Sequence, residues 1–476
     1  MVSLFKKRSI LFLLCLVLQS LGSARSQSYI GVNYGTFADN LPTPAQTAKL
    51  LQSTSIGKVR LYAADPAIIK ALANTGIGIV LGIGNGDIPK LASDRKFATQ
   101  WVQSNVLAYY PASKIVVVTV GNEVMSFDPD VVSQLLPAMQ NVQDALNSAS
   151  VGGKIKVSTV HAMEVMGQSE PPSAGAFKSE VADTMKALLK FHQKNGSPFM
   201  INPYPFFAYQ GDPNRPGNLE FCTFQPNSGR YDNNTHITYM NMFDAQVDAV
   251  YSALKALGFK DVEIVVAETG WAHDGGEKEA GASVENAKAY NGNLISYLRS
   301  MKGTPLMPGK PVETYIFALY DENMKPGAGS EKSFGLFKPD RTANYDAGLS
   351  KSGRGSAPGP RRAPGKTPAG APAAHRTSPK AAPGTRRTHP VARGPAAAPG
   401  APGASYATTP AGNPVTSTGP GAAGGNPAAP TGQSGGSVGS GTAKSCRPPH
   451  SLPLALVVMA AFILVNKAHE EEDKLL

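Results

Sequence analysis

Between Gln27 and Ser350, short apolar runs that end in polar residues alternate with helix-like stretches, and this alternation limits the fold more than any other feature of the chain. The strand candidates are Tyr29–Asn33, Lys58–Tyr62, Gly78–Ile83, Ile115–Val120, Ile155–Val160, Phe199–Tyr204, Val262–Ala267 and Val312–Leu319. Helical patterns separate them: Pro44–Ser53, Asp94–Ala108, Asp130–Ser148, Ser179–Lys194, Tyr239–Leu257 and Ser283–Lys302. Eight strands with intervening helices imply an α/β architecture, the (β/α)8 or TIM barrel. An open doubly wound sheet uses the same alternation and is the competing arrangement. A dinucleotide site is disfavoured, because Gly82-Ile83-Gly84 and Gly121-Asn122 lack the full glycine fingerprint and the helix start that follows it.

The remainder of the chain reads differently. Residues 351–450 hold 18 Pro, 19 Gly and 12 Lys or Arg, no Asp or Glu, and Tyr406 as their one aromatic. Such a stretch has too few large apolar groups to form a core, so a disordered, basic, Pro/Ala/Gly-rich stalk is expected. Its Ser-Pro and Thr-Pro pairs suit O-glycosylation, and its cations suit acidic polysaccharide or anionic surfaces. The chain's net charge of +11 therefore belongs to the tail, and Gln27–Ser350 carries −3. That balance argues against a basic, nucleic-acid-binding domain. Residues 1–26 have the form of a signal peptide: Lys6, Lys7 and Arg8 precede the apolar run Ser9–Leu18 and then small residues around Gly22–Ser26. Secretion follows, to the extracellular space or cell wall. Cys15 leaves with the signal, and Cys222 and Cys446 are too few and too far apart for a disulfide scaffold. Four regions result: 1–26, the (β/α)8 domain 27–350, the stalk 351–450, and an apolar segment with an acidic end, 451–476.

Two strands run into a glutamate. Ile115–Val120 leads to Gly121-Asn122-Glu123, and Val262–Ala267 leads to Glu268-Thr269-Gly270-Trp271. In a (β/α)8 barrel the strand ends and the loops after them form the active face. Carboxylates there, on strands four and seven, would face each other across the mouth. A pair about 5–5.5 Å apart is what a retaining glycosidase uses, one as proton donor and one as nucleophile. Burial and like-charge repulsion can keep one protonated while the other stays ionised. Either residue could equally cap a helix or meet a surface lysine, and position alone does not decide.

The residues around them do more. Thr119-Val-Gly-Asn-Glu123 and Ala267-Glu-Thr-Gly-Trp271 resemble the two signatures of plant glycoside hydrolase family 17, the β-1,3-glucanases. The resemblance extends through Gly31-Val-Asn-Tyr-Gly35, Val59-Arg-Leu-Tyr62, Asn202-Pro-Tyr-Pro-Phe-Phe-Ala-Tyr209, Phe317–Pro326 and Phe334-Gly-Leu-Phe337, in order across Gln27–Ser350. It implies that Glu123 is the proton donor and Glu268 the nucleophile of an endo-acting hydrolase of β-1,3-glucan, with Glu322 and Lys325 in a supporting electrostatic role. One departure stands out: the family usually continues Glu-Thr-Gly-Trp with Pro and Ser, whereas this chain has Ala272-His273-Asp274. Losing proline's fixed φ leaves that loop less constrained, with His273 read as a solvated loop residue and, as the alternative, a group that touches substrate or modifies a local pKa.

Arg60 and Asn122 are placed to hydrogen-bond the carboxylates. Tyr34, Tyr204, Phe207 and Trp271 are candidate sugar platforms, because an aromatic face packs on the apolar face of a pyranose; Phe206 has the same chemistry, and at least one of the two phenylalanines is expected in the core. His161, His192 and His236 show no metal-ligand spacing, and neither metal nor cofactor is called for. Asn233-Asn234-Thr235 is a glycosylation sequon in a polar loop. The expected partner is β-1,3-glucan, the expected state a monomer. Two other readings share these residues: a wall protein that binds glucan without cutting it, and a transglycosylase that passes the same intermediate to a sugar.

The C-terminal segment leaves three readings open. Leu452–Val465 is 14 apolar residues including Pro453, short of the roughly 20 that span a bilayer. With Ser440-Gly441-Thr442 upstream it has the form of a glycolipid (GPI) anchor signal. The polar end Asn466–Leu476 fits a membrane helix or a plain tail better. On the anchor reading, a phosphatidylinositol-specific phospholipase releases the protein from membranes and the mature chain lacks Glu470–Leu476. Retention of a chain with that end intact would mean a membrane helix instead.

Overall fold

Eight parallel strands close into a barrel in chain order. They are β1 Ile30–Tyr34, β2 Lys58–Leu61, β3 Gly78–Ile83, β4 Lys114–Asn122, β5 Lys156–Ala162, β6 Phe199–Asn202, β7 Ile264–Thr269 and β8 Glu313–Ile316. Closure is made by β1, which pairs with β2 through Val32↔Val59 and with β8 through Ile30↔Thr314. This computed structural model describes residues 29–351 apart from Lys278. The expected signal peptide, stalk and C-terminal apolar segment lie outside the described residues.

The period-2 alternation of the strands explains two separate cores. In β3, Ile79 and Leu81 face the helices while Val80 faces the lumen. Val80, Val117, Val160, Met200, Val265, Ala267 and Tyr315, from six of the eight strands, fill the lumen as one buried cluster. A much larger cluster joins the outward strand faces to the helices, with Leu51, Leu135, Leu188, Leu254 and Leu294 among its helical members. The lumen is therefore a solid plug, and the functional surface is confined to its ends.

The helices begin where their capping chemistry begins. Thr43 and Gln46 form a reciprocal capping box ahead of Pro44–Ser53, and Ser283 caps Val284–Ser300. Asn241 accepts from the Asp244 N–H and starts Met242–Ala256, three residues later than the apolar pattern from Tyr239 predicts. The residues before it, Ile237–Tyr239, form a hairpin with Arg230–Asp232 instead. Strand ends differ from the sequence pattern by one to three residues, most at β8, which stops at Ile316 instead of Leu319, and at β7 this matters: Glu268 lies inside the strand.

Candidate active site

Glu268 is held from two directions at the end of β7. It is 7% exposed. One carboxylate oxygen accepts from Arg60 Nη1 at 2.5 Å, and the other from the Tyr204 hydroxyl at 2.9 Å. Arg60 belongs to β2 and is itself 1% exposed. Its Nη2 donates to Asn122 Oδ1 at 2.6 Å, and its guanidinium lies 4.6 Å from the centre of the Tyr62 ring. A charge taken this far out of water is tolerable only when paired, and removing one partner of such a pair costs about 3–5 kcal/mol.

Glu123 follows β4 directly, on an irregular strand end. The β4–β5 register shifts between Thr119 and Asn122, Gly121 has φ +74° and Glu123 φ +55°. A Cβ on Gly121 would meet Val124 at 2.5 Å, so both the backbone angle and the space require glycine. A left-handed glutamate is strained by roughly 1 kcal/mol or more. It is fixed there by its own N–H, which donates to Val160 O at 2.8 Å. Its carboxylate accepts from Asn202 Nδ2 at 2.8 Å and, at 3.4 Å, from Asn122 Nδ2. Asn122 thereby touches Arg60 and Glu123 together. Burial pushes the Glu123 pKa up to about 8, with the Glu268 charge adding to the rise and the Asn202 hydrogen bond opposing it.

Glu322 lies on the loop after β8, 4% exposed, with Oε1 accepting from the Phe37 N–H at 2.8 Å. Burial raises its pKa, and the Lys325 charge and that N–H counter the rise. Lys325 forms an ion pair with Glu331 at 2.9 Å and sits 4.1 Å from the centre of the Phe317 ring. Among the aromatic candidates, Phe207 is 43% exposed and Tyr204 half-buried beside it, ring centres 5.0 Å apart. The other two need correction as sugar platforms. Trp271 has no exposed surface: it packs on Phe206, Tyr209 and Tyr290 and donates through Nε1 to Gly281 O at 2.8 Å. Tyr34 is buried too, edge-on to Tyr320. Phe206 is a core residue.

His273 is also placed differently from its sequence reading. Its Nε2 meets Asp321 Oδ1 at 2.9 Å, and its backbone N–H donates to Ser333 O. The loop lacking the family's proline is thus tied to the loop after β8. His161 and His192 are buried around Phe199, and Asn233 is exposed in the hairpin turn after Asp232. Asn202 is the site residue that sequence reasoning missed; its position as the last residue of β6 was the available signal. A separate cavity of about 400 Å³ opens between the loop after β5 and the hairpin, lined by Met163, Met166, Arg215, Arg230 and Tyr231, and neither Glu123 nor Glu268 borders it.

Comparison with known proteins finds a family match and several similar relatives. Residues 30–348 match the family described as glycosyl hydrolases family 17. A glucan endo-1,3-beta-glucosidase 7 of Arabidopsis thaliana is 66% identical over 349 residues, 73% of this chain and 69% of that protein. A glucan endo-1,3-beta-D-glucosidase of Olea europaea is 62% identical, over 72% of this chain and 75% of its own length. Among solved structures, CJP38, a β-1,3-glucanase and pollen allergen of Cryptomeria japonica, superimposes with a TM-score of 0.65 at 42% identity, covering 68% of this chain and 99% of that one. With a family match running from the first barrel strand to the end of the domain, and relatives this similar across it, the chain belongs to glycosyl hydrolase family 17.

Proposed function

We propose that the chain is a retaining endo-hydrolase of β-1,3-glucan, with Glu268 as nucleophile and Glu123 as acid and then base. The observation that carries this is the opposite treatment of two carboxylates, Glu268 buried and Glu123 half-buried. Glu268 is paired with Arg60 and accepts from the Tyr204 hydroxyl, while burial and then the Glu268 charge raise the Glu123 pKa to about 8, so that Glu123 is protonated at neutral pH. Relatives named as glucan endo-1,3-beta-glucosidases support the substrate and the endo action.

The chemistry then runs in two steps. A Glu268 oxygen attacks the anomeric carbon as Glu123 gives its proton to the departing glycosidic oxygen, leaving a glycosyl ester on Glu268. Glu123, now ionised, takes a proton from water, which attacks the same carbon and frees Glu268. Asn122 and Asn202 orient Glu123 through both halves, and Tyr204 releases or tightens its hydrogen bond as charge leaves and returns to Glu268. Glu322 and Lys325 add a supporting field beside the nucleophile. The same reading makes the protein an extracellular, wall-associated monomer, tethered by a glycolipid anchor and glycosylated at Asn233. It rests on the form of residues 1–26 and 440–465 and on the exposure of the sequon.

Replacing Glu268 by Gln keeps size and shape but removes the nucleophile. Turnover of β-1,3-glucan is expected to fall by about 10⁴-fold or more, with glucan binding retained in a pull-down assay. Near-normal turnover would refute the assignment. Double displacement also predicts that the first product carries the β-anomeric configuration; proton NMR before mutarotation reads this directly, and an initial α-anomer would exclude retention.

The acid role sets the pH profile. Because Glu123 works protonated, kcat/KM should decline as pH rises through about 8. The Asn202 hydrogen bond favours the ionised form, so Asn202→Ala removes a pKa-lowering contact and should move that alkaline limb to higher pH, by up to roughly one unit. A limb that stays in place, or moves down, would remove Glu123 as its origin.

A further inference from the structure

The loop after β1 carries a feature that the two-carboxylate mechanism does not use. Phe37 is 57% exposed and Met324, on the loop after β8, is 59% exposed. Neither loop is free to fold these side chains away. The Phe37 N–H donates to Glu322 Oε1 at 2.8 Å, and the Phe37 carbonyl accepts from the Met324 N–H at 3.1 Å. Asn323 Nδ2 donates to Asp39 Oδ1 at 2.8 Å, and the Asp39 N–H reaches back to Asn323 Oδ1 at 3.4 Å. Gly35 lets Glu322 sit directly under the loop, since a Cβ there would lie 2.3 Å from the carboxylate oxygen.

Four hydrogen bonds thus clamp two apolar side chains in water, where they gain nothing from burial. Both loops follow barrel strands and open on the face that holds Glu123 and Glu268. Glu322, the anchor of the clamp, is close enough to Glu268 for that charge to raise its pKa. Beside the apolar pair stand Asp39 and Asn323, whose planar polar groups match the hydroxyl edge of a sugar as a phenyl ring matches its C–H face. A platform built in advance loses little freedom when a sugar lands on it.

We propose that Phe37, with Met324 beside it, is a sugar-stacking platform for a glucosyl unit of the same β-1,3-glucan chain that Glu268 attacks, one or more units from the scissile bond. Phe37 would then be a specificity-determining residue that rewards long chains. The inference rests on the glucan-hydrolase reading and extends it to chain length.

The test uses the full-length protein and β-1,3-gluco-oligosaccharides of increasing length, together with the linear polymer. Phe37→Ala should raise KM for the polymer and the longest oligosaccharides by about 5–10-fold, leave kcat within about twofold, and have no effect below some threshold length. Phe37→Trp should restore the wild-type KM. Equal KM in wild type and Phe37→Ala at every length overturns the platform while leaving the hydrolase reading intact. A fall in kcat at all lengths also overturns it, because the loop would then be acting through Glu322. A wild-type protein that cuts no β-1,3-glucan would overturn both readings together.

Discussion

The buried guanidinium of Arg60 is the constraint on which the rest of the site depends. It brings three strand ends to one point, since it sits on β2, pairs with Glu268 on β7, and donates to Asn122 at the end of β4. A cation with 1% exposure requires carboxylate and amide partners, so the barrel can close its upper layer only with these residues facing one another. By fixing the Glu268 carboxylate in place it also bears on Glu123. The Glu268 charge raises the Glu123 pKa, and that effect outweighs the direct lowering by Arg60 itself. Two chemically identical groups thus sit in different surroundings: Glu268 beside the cation, Glu123 beside amides.

Much of this was legible in the sequence because it is written as local pattern. The eight strands were visible as apolar runs, and the closed barrel emerges from them with shifts of one to three residues at the ends. Placing Glu123 and Glu268 at strand ends needed only that pattern. Other features could not be read, each for a definite reason. The left-handed angle of Glu123 arises from a register shift between β4 and β5, a relation between strands distant in sequence. Asn202 looks like any strand-end amide until β6 is set beside β5. The start of Met242–Ala256 was misplaced because Tyr239 continues the helix's apolar spacing while actually serving the hairpin, where it is buried and donates to Asp248. His273 was assigned to solvent on its loop position, and its partner Asp321 comes from 48 residues away.

The fate of the aromatic residues shows what the motif around Glu268 encodes. In Glu268-Thr269-Gly270-Trp271 the tryptophan invites a substrate role, yet its indole is wholly buried. It packs edge-on to Phe206 at 5.2 Å between ring centres, and Phe206 packs in turn on Phe334 at 5.5 Å. Phe334 lies 6.0 Å from Tyr204, the residue whose hydroxyl reaches Glu268. Thr269 completes a second tie, its hydroxyl 2.5 Å from that of Tyr290, against which Trp271 also rests. The aromatic wall thus begins at the residues just after Glu268 and returns to it through Tyr204. A hydrogen bond to a reacting carboxylate is useful only if its donor cannot drift, since about 1 Å of misplacement can cost two orders of magnitude in rate. Close-packed rings supply that rigidity where a loop alone would not. On the proposed mechanism the tryptophan would act through this packing, which holds Tyr204 against Glu268.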